Sequence, residues 1–246
     1  MREGFALKLR VRFTKNGSMK FIGHLDTMRY FQKAIRRAEL PAAFTAGFSP
    51  HMILSFAAPL GVGVTSQGEY FDLELAEDMD PQEFVRRLDA QMVDGFSVTA
   101  AKAIENRKSN AMSLVAAADY EVGFRPGYEP SFDWQSQIPA FLAQPEILIT
   151  KTGKAGERQV DIRPWIYRMQ IKAPRILFLR LASASANYTR PDQVMEAFFA
   201  MAGEKLSPHA LLVNRLEVYA RKPETAMQGE EETDREPEWI SLLEAL

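Results

Sequence analysis

The chain opens on an alternation. Leu7, Leu9, Val11 and Phe13 fall on one side of the segment and Lys8, Arg10 and Arg12 on the other, the period of two expected of a half-buried strand. Asn16-Gly17 then supplies a turn dipeptide. The period changes next: Leu25, Met28, Phe31, Ile35 and Ala38 recur at helical spacing, with Asp26 as the expected N-cap and Leu40-Pro41 as the stop. A connection rich in Gly and Pro, Pro41 to His51, leads to a strand at Ile53–Ala58, and Gly61, Gly63 and Gly68 punctuate the turn into a third strand at Tyr70–Leu75. Asp80-Pro81 opens a second helix with Phe84, Leu88 and Met92 inward, and Phe96–Ile104 supplies a fourth strand. The order is βαββαβ.

The same order recurs as strand 119–124, helix 132–142, strands 146–150 and 176–181, helix 191–201 and strand 211–219. The expected fold is therefore α+β: two tandem ferredoxin-like (βαββαβ) domains with antiparallel sheets, at 1–108 and 114–222, joined by the polar stretch 105–113. The second carries an insertion at 151–175, with Gly153 to Gly156 as a hairpin tip and Val160-Asp161-Ile162-Arg163 as its return. In such a fold the first and third strands are neighbours, which places Lys8, Arg10 and Arg12 beside Tyr70, Asp72 and Glu74 on the face without helices. Cross-strand charge pairing there, worth about 0.2 to 1 kcal/mol per pair, competes directly with nucleic-acid binding. The corresponding face of the second domain carries Ile176 and Phe178, which suggests a covered surface.

Composition bounds the function. With 246 residues, 46% hydrophobic and 25% charged, the chain is of the globular class and long enough for two cores. It has no cysteine and three histidines, His24, His51 and His209. Disulfides, thiolate nucleophiles and cysteine-ligated zinc or iron–sulfur clusters are thereby excluded, and neither a metal site nor a cofactor is expected. No apolar run is long enough for a membrane span or a signal peptide, so the expected setting is cytoplasmic, with no membrane partner.

The net charge of −2 conceals an asymmetry: Arg2 to Arg37 holds ten Lys/Arg against Glu3 and Asp26, whereas Pro223 to Leu246 holds eight acids and one Arg. Residues 223–246 are expected to form an acidic, poorly ordered tail. It could either solvate the molecule or lie on the basic face, with Trp239-Ile240 and Leu242-Leu243 able to dock as a short turn.

Several residues could carry chemistry. Arg29, Lys33 and Arg36 or Arg37 lie at i, i+4 and i+7 of the first helix, a cationic stripe that would clamp phosphates or simply solvate an amphipathic helix. Tyr30 and Tyr70 could stack on bases, although the aromatic strand signature of an RNA-recognition motif is absent. His24, with Asp26 or Glu69 to orient it, is a candidate general base, and capping or loop anchoring is the competing explanation. Gly47-Phe48-Ser49-Pro50-His51 is a rigid loop that presents Phe48 and His51 where binding residues gather. Glu69, Asp72 and Glu74 are expected to be solvated or salt-bridged carboxylates, because alternation separates Glu69 from Asp72.

These segments, R-V-R-F-x-K from Arg10, F-I-G-H-L-D-x-M-R from Phe21, A-x-R-R-A-x-L-P from Ala34, G-F-S-P-H from Gly47, S-F-A-x-P-L-x-x-G from Ser55 and G-E-Y-F-D from Gly68, together resemble the uncharacterised bacterial radical SAM-linked family. Its members stand alone or are fused after a cobalamin-binding-type radical SAM protein. V-D-I-R at 160–163 also fits. Where members usually have Ser before the first His and Pro after the second, this chain has Gly23 and Met52.

The resemblance implies a radical SAM protein as partner. Radical SAM chemistry needs a cysteine triad, which this chain lacks, so the expected role is a non-catalytic adaptor presenting RNA or another polyanionic substrate through Arg10, Arg12, Arg29, Lys33, Arg36, Arg37, Phe48 and His51. The alternatives are a metal-independent RNA-processing enzyme using His24 as general base, and a structural protein-interaction module with an exposed Ile176/Phe178 patch.

Overall fold

A computed structural model describes residues 7–105, 109–153, 156–222 and 238–245. The chain gathers into two units, Met1–Ala116 with Glu217–Leu246, and Ala117–Leu216. Among the described residues, 217–222 and 238–245 group with the first unit. The class is α+β, with five α-helices among the described residues.

The first unit runs β1 (Lys8–Lys15), a 3-10 turn (Gly17–Phe21), α1 (His24–Arg37), β2 (Leu54–Phe56), β3 (Thr65–Glu74), α2 (Pro81–Asp89), β4 (Phe96–Ala103) and a single turn, α3 (Ala111–Leu114), which overlaps the end of the expected 105–113 linker. Its strands are ordered β4-β1-β3, with β2 paired to β3. The pairings are antiparallel, and the register sets Lys8 opposite Glu74, Arg10 opposite Asp72 and Arg12 opposite Tyr70. Leu9, Val11, Phe13, Phe71 and Leu73 face Phe31, Ile35, Phe84 and Leu88 in one core. Phe13 sits at its centre, 4.6 Å from Phe31, 5.7 Å from Phe56 and 5.9 Å from Phe71 between ring centroids, in tilted and edge-on geometries that aromatic quadrupoles favour.

The N-cap of α1 lies three residues before the expected one. Gly23 is its N-cap, without a side-chain bond, and Asp26 lies in the first turn. A carboxylate there meets the same excess of positive backbone charge that a capping oxygen would, which is why the sequence signal is displaced along the helix. Asp80, by contrast, does cap α2, accepting a hydrogen bond from the Glu83 amide.

The second unit runs β5 (Val115–Phe124), α4 (Trp134–Leu142), β6 (Leu148–Gly153), β7 (Gly156–Asp161), a 3-10 turn (Arg163–Trp165), β8 (Ile166–Ala173), β9 (Ile176–Ala182), α5 (Pro191–Met201) and β10 (Leu211–Arg221), with strand order β10-β5-β9-β8. The first two residues of β5 and the last five of β10 fall in the first unit.

The expected middle strand at 146–150 is a correction. Leu148–Gly153 instead pairs with Gly156–Asp161 in a separate two-stranded ribbon, and Ile166–Ala173 is the strand beside β9. Two features hid β8. A register shift between Ile166 and Arg168 breaks its alternation. The turn into β9 is Pro174-Arg175, whose positive φ falls on Arg175 at 68° and not on the Gly or Asn that usually marks such a turn.

The C-terminal segment returns to the first unit. β11 (Trp239–Ser241) pairs with Tyr219–Arg221 of β10, and Leu242 is fully buried. The expectation of a poorly ordered tail is corrected for 238–245; residues 223–237 lie outside the described residues.

Beneath this segment Arg10 is fully buried. Its Nε and Nη2 bond the two Asp72 carboxylate oxygens at 2.9 and 3.2 Å, while Nη1 donates to the Leu242 and Ala245 carbonyls at 2.9 and 2.7 Å. Asp72 also accepts from the Ala111 amide at 2.8 Å. Removing one member of a buried ion pair strands the other, typically at a cost of about 3 to 5 kcal/mol. Asp72→Ala is therefore expected to lower the urea-unfolding free energy by about that amount and to speed proteolytic release of the C-terminal segment; a loss below about 1 kcal/mol, the usual worth of an exposed pair, would contradict this reading.

Candidate functional site

On the helix-covered side of the first unit the core ends in a small cleft lined by Phe13, Lys15, His24, Thr27, Phe56, Ala58, Leu60 and Glu69. Its polar groups arrive by register. Lys15 continues the buried parity of β1 past Phe13, and Glu69 lies directly opposite Phe13 on β3. Both are almost wholly buried. The Lys15 ammonium donates to the Ile22 carbonyl at 2.7 Å, and the Thr27 hydroxyl donates to the Gly23 carbonyl at 3.0 Å, so the entry to α1 is fixed from two sides.

His24, the first residue of α1, packs its ring edge-on against Phe56 at 5.6 Å. Among the described residues neither of its ring nitrogens has a hydrogen-bond partner. Burial lowers its pKa below the ordinary histidine value; Glu69 opposes that shift and Lys15 adds to it. The imidazole is thus held neutral near pH 7, and a neutral ring nitrogen can accept a proton. Asp26 does not orient it: that carboxylate is exposed and paired with Arg29 at 3.3 Å. Glu69 is the carboxylate that the fold brings to His24.

The proposed substrate-binding residues divide into two groups. Arg10 is withdrawn from any surface role by Asp72 and the C-terminal segment. Arg12 is half-buried and paired with Glu217 at 3.1 Å, beside Tyr70, which is buried and unable to stack on a base. Burial and the neighbouring Glu217 push the Tyr70 phenol pKa upward.

On α1, by contrast, Arg29, Lys33, Arg36 and Arg37 are all exposed. Arg36 lies 5.9 Å from the Phe44 ring; Arg37 lies 5.9 Å from Tyr30 and donates to the Gln91 carbonyl at 3.1 Å. The loop after α1 is closed at its neck, where Thr45 N donates to His51 O at 2.9 Å and His51 N donates to the Thr45 hydroxyl at 3.1 Å, with His51 Nδ1 also 3.1 Å from that hydroxyl. His51 therefore anchors the loop, and Phe48 at its tip is fully exposed. The stripe and the loop share one region through the Arg36–Phe44 contact.

Lys15 and Thr27 were not singled out from the sequence. The signal for Lys15 was present: it is a lysine at a position where the alternation of β1 calls for an apolar residue. In the second unit, Ile176 and Phe178 are half-buried, with Arg168 6.0 Å from the Phe178 ring and a bidentate Arg180–Asp119 pair at 2.7 and 2.8 Å on the same face. Among the described residues no cluster of three or more His, Cys, Asp or Glu side chains could hold a metal ion, and no helix is long and apolar enough to cross a membrane.

The chain is thus an α+β protein whose first unit carries a polar cleft and an exposed cationic helix. Residues 8–191 match the family described as "Uncharacterized protein conserved in bacteria (DUF2344)", and the chain belongs to that family. No curated protein matches it. Among solved structures it is similar to a chain of a Cbf5-Nop10-Gar1 complex, at 12% identity and a TM-score of 0.45 over 85% of this chain and 48% of that one. It spans about half the length of that chain. An unknown protein from Galdieria sulphuraria aligns at 11% identity and a TM-score of 0.27, over 85% of this chain and 97% of the other.

The lowered pKa of His24 has a pH consequence. Between that folded value and 6.5, the unfolded chain binds the proton that the folded one refuses, so stability rises with pH across this window and is lost as pH falls through it. Urea midpoints at pH 5 and 7.5 are expected to differ more for the wild type than for His24→Gln; an equal pH dependence in the two proteins would contradict a neutral, desolvated His24.

Proposed function

We propose that this protein is a non-catalytic adaptor that works with a radical SAM enzyme and presents RNA or another polyanionic substrate, and that it is built from two ferredoxin-like repeats. The repeat reading is supported by matching orders, β4-β1-β3 with β2 beyond β3 in one unit and β10-β5-β9-β8 in the other. The partner rests on the resemblance of the N-terminal motifs to the radical SAM-linked family.

The observation that carries the substrate class is the solvent face of α1. With Arg10 and Arg12 paired elsewhere, it still presents Arg29, Lys33, Arg36 and Arg37 with Asp26 as their only ion-pair partner among the described residues, next to the exposed Phe44 and Phe48. An exposed pair such as Asp26–Arg29 is weak, worth roughly 0 to 1 kcal/mol, and yields readily to phosphate. Guanidinium forks then supply charge, and the loop aromatics supply a surface for bases to stack on.

Binding of a labelled oligouridylate should weaken with salt at a slope of about −2 in log affinity against log salt, as expected when roughly three phosphates of a single strand are neutralised. Lys33→Ala with Arg36→Ala should flatten that slope to about −0.7, and Phe48→Ala should weaken binding without moving the urea midpoint. Salt-independent or undetectable binding by the wild type would remove the polyanion reading.

The His24 cleft favours a second reading, a metal-independent RNA-processing enzyme with His24 as general base and Glu69 beside it. Strand cleavage by the purified chain in chelator, abolished by His24→Gln, would establish it in place of the adaptor.

A further inference from the structure

The β6–β7 ribbon of the second unit places Lys151 directly opposite Arg158. Like charges facing each other across a strand pair destabilise it, and an isolated two-stranded ribbon has little stability to spare. The arrangement is therefore not explained by the stability of the ribbon.

The lysine is nevertheless held firmly. Its ammonium lies 4.7 Å from the Trp165 ring centroid and 5.9 Å from that of Tyr188, and it donates a hydrogen bond to the Tyr188 carbonyl. Burial lowers its pKa, and the Arg158 and Arg190 charges lower it further, so three cations lie within electrostatic reach of one another. Arg190 is matched by Asp192 at 2.7 Å. Among the described residues no carboxylate pairs with Lys151 or with the exposed Arg158. An aromatic seat fixes one cation, a ribbon edge presents a second, and both lack an anion.

We propose that Lys151 and Arg158, with Trp165 and Tyr188 as the seat of the lysine, form a phosphate-binding site in the second unit. A phosphoryl group lying between the two cations relieves their repulsion and takes charge-assisted hydrogen bonds from both, with the arginine fork suited to two of its oxygens. The same chemistry is offered by a free phosphate compound and by the backbone of a nucleic acid. This site is independent of the α1 surface and can stand or fall separately from it.

The test uses the full chain with two probes, inorganic pyrophosphate by calorimetry and a labelled oligouridylate by anisotropy across a salt series. Arg158→Gln is the principal variant, since removing an exposed like charge does not threaten folding, and Arg158→Lys is the rescue. If the backbone of a nucleic acid is the ligand, Arg158→Gln should lose about tenfold in RNA affinity with the salt slope reduced by about 0.7, the share of one phosphate on a single strand. Arg158→Lys should recover most of this. If a free phosphate compound is the ligand, pyrophosphate binding should saturate in the wild type and disappear in Arg158→Gln while RNA affinity is unchanged.

Wild-type behaviour of Arg158→Gln with both probes would overturn the proposal and leave Lys151 as a clamp holding the ribbon to its unit. Loss of RNA binding only on substitution of Lys33 and Arg36, together with pyrophosphate binding that Arg158→Gln leaves intact, would overturn this site while sparing the α1 surface, and loss of RNA binding only in Arg158→Gln would spare this site alone.

Discussion

The buried fork between Arg10 and Asp72 is the constraint on which the first unit turns. Two charges out of water are tolerated only when nearly every donor and acceptor is satisfied. Here the two Nη1 hydrogens go to the Leu242 and Ala245 carbonyls, and an Asp72 oxygen takes the Ala111 amide. A pair at the middle of the first and third strands thus recruits both the segment after β4 and the C-terminal segment. Its consequence is exclusion: the part of the sheet face around Arg10, Tyr70 and Asp72 is occupied by the protein itself, and the exposed cations of the first helix lie on the helical side.

That side supplies two distinct chemical environments. The solvent face of α1 is a charged surface whose electrostatics are screened by salt and whose partners are exchangeable. The cleft at its first turn is the opposite, a desolvated histidine between buried Lys15 and Glu69, where small changes in protonation matter. Both are positioned by the same N-terminus of α1, which the Lys15–Ile22 hydrogen bond ties to β1 and the Thr27–Gly23 hydrogen bond closes within its first turn. The second unit solves its sheet face with a pair of inverted sense: the aspartate, Asp119, is on the earlier strand and the arginine, Arg180, on the later one.

Much of the first unit was legible because its signals are local and unbroken. The alternation of β1 fixed the faces, and the register placing Arg10 beside Asp72 follows from strand neighbours alone. What pattern reading could not give was which of two uses those charges have, since a paired arginine and a free one look alike in a sequence; the partner carbonyls of Arg10 lie more than two hundred residues away. In the second unit the reading failed at β8, where a register shift and a Pro-Arg turn erase both the period and the punctuation. The hairpin expected with its tip at Gly153 to Gly156 is present, and its register sets Lys151 opposite Arg158; what pattern reading missed is that the strand leading into it, Leu148–Gly153, pairs only within this ribbon.

The central claim is that polyanion contact falls on α1 and the following loop, not on the sheet face closed by Arg10 and the C-terminal segment. Photocrosslinking of a 4-thiouridine-containing single-stranded RNA to the full chain, with the adducts mapped by mass spectrometry, tests it most directly. Within the first unit the expected adducts lie in peptides spanning residues 29–51, Phe44 and Phe48 foremost. Adducts confined to β1, β3 and the C-terminal segment would place the strand on the sheet face and contradict the account.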